Sequence, residues 1–140
     1  MACSVYGAQF LLDALYDAGE SKYALELLTA TDQRSWYNMI KTGSTISMEA
    51  WDMRYKPNSD WNHAWGAAPA NLLPRYILGA QPLTPGWETA HIQPITADLQ
   101  FAKGKVPTPR GPILIDWKNG KTFTLSLTLP DGMKAKVELP

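Results

Sequence analysis

The sequence predicts helices followed by an antiparallel β-sheet, the second part forming half of a sandwich. Three observations carry this reading. Apolar residues recur at helical spacing in the first forty residues, and alternate with Thr and Ser from Thr122 to Leu129. Between these regions the punctuation changes: residues 1–80 hold three prolines and residues 81–140 hold eight. The charge changes with it, from −2 to +2. Gly79-Ala80-Gln81-Pro82-Leu83-Thr84-Pro85-Gly86 cannot continue a helix, so the junction is placed near residue 80. The predicted division is 1–80 and 81–140.

The first helix is expected over Tyr6–Ala18, with Phe10, Leu11, Ala14, Leu15 and Ala18 on its buried face and Gly19 as its stop. Ser21 is expected to cap a second helix through Ala30, with Tyr23, Ala24, Leu27 and Leu28 as its stripe. Thr31 and Asp32 offer the cap of a short third helix that ends at Gly43. The short connections favour an antiparallel helical hairpin. A further helical stretch is expected from Asp60 to Gly79, interrupted around Pro69 and Pro74.

In the second part, Phe123, Leu125, Leu127 and Leu129 form the inward face of one strand, and Ile113, Ile115 and Trp117 that of its partner. Asn119-Gly120 between them is a strong hairpin signal, since both residues tolerate φ > 0. Pro130-Asp131-Gly132 turns into a strand over Lys134–Leu139, and Glu88–Gln93 and Leu99–Lys105 are further strand candidates. Few helices and a possible open sheet edge predict that the chain is the end of a larger protein.

Composition narrows the function. Thirteen basic and thirteen acidic side chains cancel among 140 residues, so no global field draws the chain to nucleic acid or anionic lipid. No apolar run approaches the ~20 residues of a membrane span, and no secretory signal pattern follows Met1. A single cysteine, Cys3, excludes an internal disulfide and a multi-cysteine zinc site.

Residues 36–66 stand apart. Trp36, Trp51, Trp61 and Trp65 lie there with Tyr37, Tyr55, Glu49, Asp52, Asp60 and His63. A carboxylate beside an indole in a poorly hydrated site can act as acid or base near neutral pH. Sugar rings present apolar faces to indole and hydroxyl rims to Asp, Asn and His, so this mixture points to a carbohydrate site. The same residues also have bland roles. Tryptophans build cores and helix contacts, Asp60 can be a helix cap, and His63 can be a satisfied core histidine. Trp61 and Trp65, four apart, can share a helix face. Glu49 and Asp52 would lie on one face if that segment were helical. Trp87, His91 and Trp117 are read as structural.

Trp36-Tyr37-Asn38-Met39-Ile40, followed by Gly43-Ser44-Thr45-Ile46-Ser47-Met48-Glu49-Ala50-Trp51-Asp52, resembles the Gly-x-Thr-Thr-x-x-Glu-x-Trp region of bacterial α-L-rhamnosidases. Asn58-Ser59-Asp60-Trp61-Asn62-His63-Ala64-Trp65-Gly66 resembles the Asn-His-x-x-x-Gly region that follows it. Gly79 through Pro94 resembles the family's passage from a helical barrel into a C-terminal β-domain. The likeness runs from about Cys3 to at least Trp117 in order and spacing. Ser47 departs from the pattern without moving the register of Glu49.

The resemblance implies the last helices of an (α/α)6 barrel over 1–80 and a partial β-sandwich domain over 81–140. It implies an inverting hydrolase of terminal α-L-rhamnose in glycosides and polysaccharides, with no metal or organic cofactor. Glu49 matches the general base, His63 a sugar contact, and Trp51, Asp52, Trp36 and Trp61 the surrounding wall. The family's general acid lies upstream of the matched region, and nothing in residues 1–48 resembles its motif. The chain is therefore expected to need the upstream remainder of the barrel as partner and to be inactive alone. Exposed helix faces would favour self-association. The parent enzyme would be soluble and bacterial, periplasmic or cytoplasmic.

Two other classes stay open. A non-catalytic carbohydrate-binding module would bind rhamnose without needing Glu49. A structural or interface module would need none of these residues and would expose an apolar helix face.

Overall fold

In the computed structural model, which describes residues 1–140, the chain turns helical at Val5. Ser4 is extended there (φ −66°, ψ 163°) and its Oγ accepts the Gly7 N–H at 3.0 Å. The resulting helix α1, Val5–Asp17, buries Val5, Ala8, Leu12 and Tyr16. This corrects the expected stripe: Phe10 is 60% exposed, Ala14 and Ala18 are exposed, and Leu11 and Leu15 are only half-buried. The helix is apolar around more than one side, so periodicity admits two stripes, and packing against α2 (Ser21–Thr29) and α4 (Ala68–Leu72) selects the other.

Two caps also differ from expectation. Ser21 is the first residue of α2, and Glu20 occupies the cap position without a side-chain bond. Of the α2 stripe, Ala24 is buried, Leu27 and Leu28 are half-buried, and Tyr23 is exposed. The cap of α3, Trp36–Lys41, is Ser35, not Thr31 or Asp32. Ser35 Oγ accepts the Asn38 N–H at 3.1 Å and donates to the Asp32 carbonyl at 2.6 Å, which is how a fully buried hydroxyl is satisfied. Asp32 itself takes the Arg34 N–H at 2.8 Å.

Helical structure resumes at Ala64, not Asp60, as a 3₁₀ turn over Ala64–Gly66 and then α4. Pro69 falls in the first turn of α4, where its missing N–H costs nothing. One compact unit comprises Met1–Leu72 and a second Leu73–Pro140.

The second unit opens with a π-helical turn, Leu73–Ile77, that contains Pro74. Two three-stranded sheets follow, ordered β1-β2-β6 and β3-β4-β5. Their strands are β1 Ala80–Pro82, β2 Thr89–Ile92, β3 Phe101–Val106, β4 Ile113–Asn119, β5 Phe123–Thr128 and β6 Lys134–Val137. Every pairing is antiparallel except β2 with β6, which is parallel. The turn at Pro130-Asp131-Gly132 thus does not fold β6 back along β5. It sends the chain to the other sheet, with Met133 buried just before β6.

The β4–β5 loop is also not the expected two-residue turn. Asn119 stays in the sheet, facing Phe123 and donating its N–H to Gln100 at 2.7 Å, and neither Asn119 nor Gly120 has φ > 0. The loop is therefore Gly120-Lys121-Thr122. The core of this unit gathers Ile92, Val106, Ile113, Ile115 and Trp117, all buried. Trp117 Nε1 donates to the Ile77 carbonyl at 2.8 Å, tying the π-helical turn to the sheet. Gly79 is required by geometry: its φ is +76°, and a Cβ would lie 2.2 Å from the Gln93 carbonyl carbon.

Candidate functional site

The candidate site is the irregular segment between α3 and the 3₁₀ turn. Gly43, at φ +93°, ends the helical path, and the chain then runs without helix or strand to His63. It is anchored from below by Met48, fully buried, whose N–H lies 3.5 Å from Met39 Sδ. The His63 N–H donates to the Ser47 carbonyl at 2.9 Å, and the Glu49 N–H to the Asp60 carbonyl at 2.8 Å. These two bonds make the loop double back on itself.

Trp51 braces the loop from inside. It is 3% exposed, its Nε1 donates to the Cys3 carbonyl at 2.8 Å, and Trp36 stands edge-on to it at 5.0 Å. Trp36 in turn donates to the Gly66 carbonyl at 2.7 Å. Gly66 must lack a side chain: a Cβ there would lie 2.6 Å from the Met48 carbonyl oxygen and 2.9 Å from Ser47 Cβ. Both indoles are thus held by polar bonds as well as by packing.

Glu49 projects at the rim. Lys56 Nζ donates to Oε1, and the Asp60 N–H donates to Oε2 at 3.2 Å. The Lys56 ammonium foremost, then the Asp60 amide, hold the Glu49 carboxyl below the usual glutamate range. This corrects the expectation of a carboxyl poised near neutrality by an indole. Glu49 is ionised at neutral pH and able to accept a proton, not to donate one. Asp52 is a separate site: Asn38 Nδ2 donates to Oδ2 at 3.0 Å, and the Arg54 N–H to Oδ1 at 3.0 Å. The Arg54 amide, then the Asn38 amide, lower its carboxyl as well. The segment is not helical, so Glu49 and Asp52 do not share a helix face.

A cleft of about 390 Å³ opens beside Glu49, lined by Trp51, Tyr55, Lys56, Arg34 and the stretch Ala2–Val5. The Arg34 guanidinium lies 4.6 Å over the Tyr55 ring. Of the six residues singled out from the sequence, this cleft brings Glu49 and Trp51 together. Trp36 lines a different groove, with Ile40, Ile46 and Pro69. His63 is 28% exposed at its side chain, edge-on to Trp65 at 5.4 Å, with Nδ1 3.8 Å from Asp60 Oδ2. Trp61 is 39% exposed, with Nε1 donating to Met53 Sδ at 3.1 Å. It lies outside any helix, so it shares no helix face with Trp65, and Asp60 caps the turn at Asn62, not a helix.

Lys56 and Arg34 are lining residues that the sequence reading did not single out, and Tyr55 was named there without a role. Lys56 pairs with Glu49 across seven positions of a segment that is neither helix nor strand, so the course of the loop and not a regular period brings them together. No group of three or more His, Cys, Asp or Glu side chains is gathered as a metal site would require. No helix is long and apolar enough to cross a membrane.

A second surface feature adjoins this region. Tyr6, Phe10 and Trp65 are each at least half exposed, and Tyr6 touches both others, with ring centroids 5.6 Å (Tyr6–Phe10) and 4.8 Å (Tyr6–Trp65) apart. Gln9 and Asn71 border the groove they line.

The cleft beside Glu49 is thus backed by the buried Trp51 indole, and a two-sheet unit follows this helical unit in the chain. The model of the bacterial alpha-L-rhamnosidase 6 hairpin glycosidase domain matches residues 1–77, and that of the bacterial alpha-L-rhamnosidase C-terminal domain matches residues 79–140. The chain belongs to the bacterial α-L-rhamnosidase family. It is 33% identical over 144 residues to the alpha-L-rhamnosidase of Alteromonas sp. (strain LOR), covering 96% of this chain and 16% of that protein. The native enzyme structure from Aspergillus terreus superposes with a TM-score of 0.84 at 30% identity, over 96% of this chain and 17% of that one. The Streptomyces avermitilis enzyme, solved with L-rhamnose, gives 0.82 at 25% identity, over 94% and 14%. The chain therefore spans about one-sixth of the length of the relatives it matches.

Proposed function

We propose that this chain supplies the general-base side of an α-L-rhamnosidase active site. Residues 1–80 are the closing helices of an (α/α)6 catalytic barrel, and residues 81–140 belong to a C-terminal β-sandwich domain. The substrate is a rhamnose-containing glycoside or polysaccharide, cleaved at its terminal α-L-rhamnose with inversion. Glu49 takes the proton from the attacking water. His63 contacts the sugar, Trp51 and Trp36 brace the wall, and Asp52 and Trp61 shape its rim.

The observation that carries this reading is the state of Glu49. It is an ionised carboxylate at the edge of an open cleft, anchored on each oxygen by one donor. A carboxylate has roughly four lone-pair sites, so two remain for a water. An inverting hydrolase needs a second carboxyl, the general acid, about 6.5–9.5 Å from the base. Asp52, bonded by Asn38 and the Arg54 amide, is held below the usual aspartate range, which disfavours it as that proton donor. The family resemblance puts the acid upstream of the matched region, so residues 1–140 alone are expected not to hydrolyse rhamnosides.

The test grafts residues 1–140 into the Alteromonas sp. relative in place of the segment they match. Proton NMR then follows the first product released from an aryl α-L-rhamnoside. The expected product is β-L-rhamnose, which mutarotates later. Release of α-L-rhamnose first would refute inversion, and hydrolysis by residues 1–140 alone would refute the assignment of the acid to the upstream barrel.

The exposed aromatic group of Tyr6, Phe10 and Trp65 favours a second role for the helical unit as an interface. Its partner would be the remaining barrel helices or, in their absence, a second copy of this chain.

A further inference from the structure

We infer that Lys56 is the positioning residue of Glu49, fixing which face of the carboxylate is presented to the cleft. The inference rests on the reading of Glu49 as the base and adds to it the group that sets its orientation.

The geometry is specific to this pair. Each acid of the loop has its own donors. Asp52 is taken by Asn38 and Arg54, while Asp60 Oδ1 accepts the Asn62 N–H and its Oδ2 faces His63. Lys56 is left with Glu49 alone, donating to Oε1 while the Asp60 N–H holds Oε2. Two donors on opposite oxygens stop the carboxylate from turning about its terminal bond. A single backbone amide would leave it free to rotate.

Lys56 is itself placed by the backbone. Its carbonyl accepts the Ser59 N–H at 2.9 Å, closing a turn over residues 56–59. Its stem lines the same cleft as the Glu49 carboxylate. The other charged groups facing Glu49 are His63, which acts in the same direction when protonated, and Arg34 across the cleft. Neither donates a hydrogen bond to Glu49, so only Lys56 can fix direction as well as charge. Orientation matters to a general base because proton transfer requires a heavy-atom separation of about 2.6–3.2 Å to the water.

The experiment is a carbon-detected NMR titration of the Glu49 side-chain carboxyl in residues 1–140, for the native chain, Lys56→Met and Lys56→Arg. The Trp51 indole N–H, bonded to Cys3, reports that each variant is folded, and Lys56→Gln replaces Lys56→Met if that variant is not. The native midpoint is expected below the ordinary glutamate range. Lys56→Met or Lys56→Gln should move it upward, with the Asp60 amide still on Oε2, and Lys56→Arg should keep it low. An unchanged midpoint on neutralising Lys56 overturns the inference.

In the grafted enzyme the acidic limb of kcat/KM should move upward with Lys56→Met, and Lys56→Arg should restore it. A fixed limb also overturns the inference. The two readings fail separately. If Lys56 governs the titration but Glu49→Gln leaves the grafted enzyme active, the base assignment falls and the pairing stands. If Glu49→Gln abolishes activity but neutralising Lys56 moves neither titration nor limb, the positioning role falls and the base assignment stands.

Discussion

Glu49 and Asp60 bind each other in both directions. The Glu49 N–H donates to the Asp60 carbonyl at 2.8 Å, and the Asp60 N–H returns a bond to Glu49 Oε2 at 3.2 Å. One residue thus closes the loop with its backbone while its side chain forms the edge of the cleft. The proposed base and the loop's clasp are the same residue, so substitutions there separate into chemical and structural effects.

Glu49→Gln keeps an acceptor for the Asp60 N–H but removes the charge, whereas Glu49→Ala removes both. Amide hydrogen exchange at Asp60 should therefore stay close to native in Glu49→Gln and quicken in Glu49→Ala. Equal exchange in the two variants would show that the side-chain bond does not hold the loop.

Acidification should loosen the fold gradually. The carboxyls of Glu49, Asp52 and Glu138 are all lower than their ordinary values, held down chiefly by Lys56, by the Arg54 amide and by Lys136 respectively. A carboxyl lower in the folded than in the unfolded chain stabilises above its unfolded value, and that stability is lost as pH falls through the folded one. The urea midpoint should stay level down to about pH 5 and decline below about pH 4. The decline should be shallow, because all three groups are solvent-accessible. A midpoint that rises on acidification would contradict these pairings.

Gly66→Ala places a methyl against the Met48 carbonyl and Ser47 Cβ, both part of the loop's own frame. We expect a loss of about 1–3 kcal/mol in urea unfolding, the usual cost of overpacking. The tryptophan fluorescence should change with it, since the Gly66 carbonyl holds the Trp36 indole. An unaltered midpoint and spectrum would mean that the loop and the 3₁₀ turn do not meet as described.

If the aromatic group on α1 is an interface, Phe10→Glu should weaken self-association of residues 1–140 by about tenfold or more in sedimentation velocity. Phe10 is 60% exposed and not part of the buried stripe, so the fold should survive. The same sedimentation behaviour in both proteins would remove the interface reading.

What the sequence made legible follows from how local each signal is. The alternation of Phe123, Leu125 and Leu127 survives as half-buried positions, with Leu125 opposite Trp117 and Leu127 opposite Ile115 on the partner strand, because a period of two admits a single inward face. The stripe of α1 is ambiguous in the sequence because Val5, Ala8, Leu12 and Tyr16 compete with Phe10, Leu11 and Leu15, and only neighbours in space decide between them. The destination of β6 was equally hidden: its alternation says nothing about which sheet receives it, and its pairing with β2 spans more than forty residues. Glu49 was visible through motif order, and Lys56 was not, since their meeting depends on the course of an irregular loop.

The most direct test of the central claim is kcat of the grafted enzyme for an aryl α-L-rhamnoside with and without Glu49→Gln. General-base catalysis is worth about 10²–10⁴-fold, so kcat should fall by that factor while Asp60 exchange stays near native. A decrease of less than about tenfold would fall short of that range and contradict the role of Glu49 as the base.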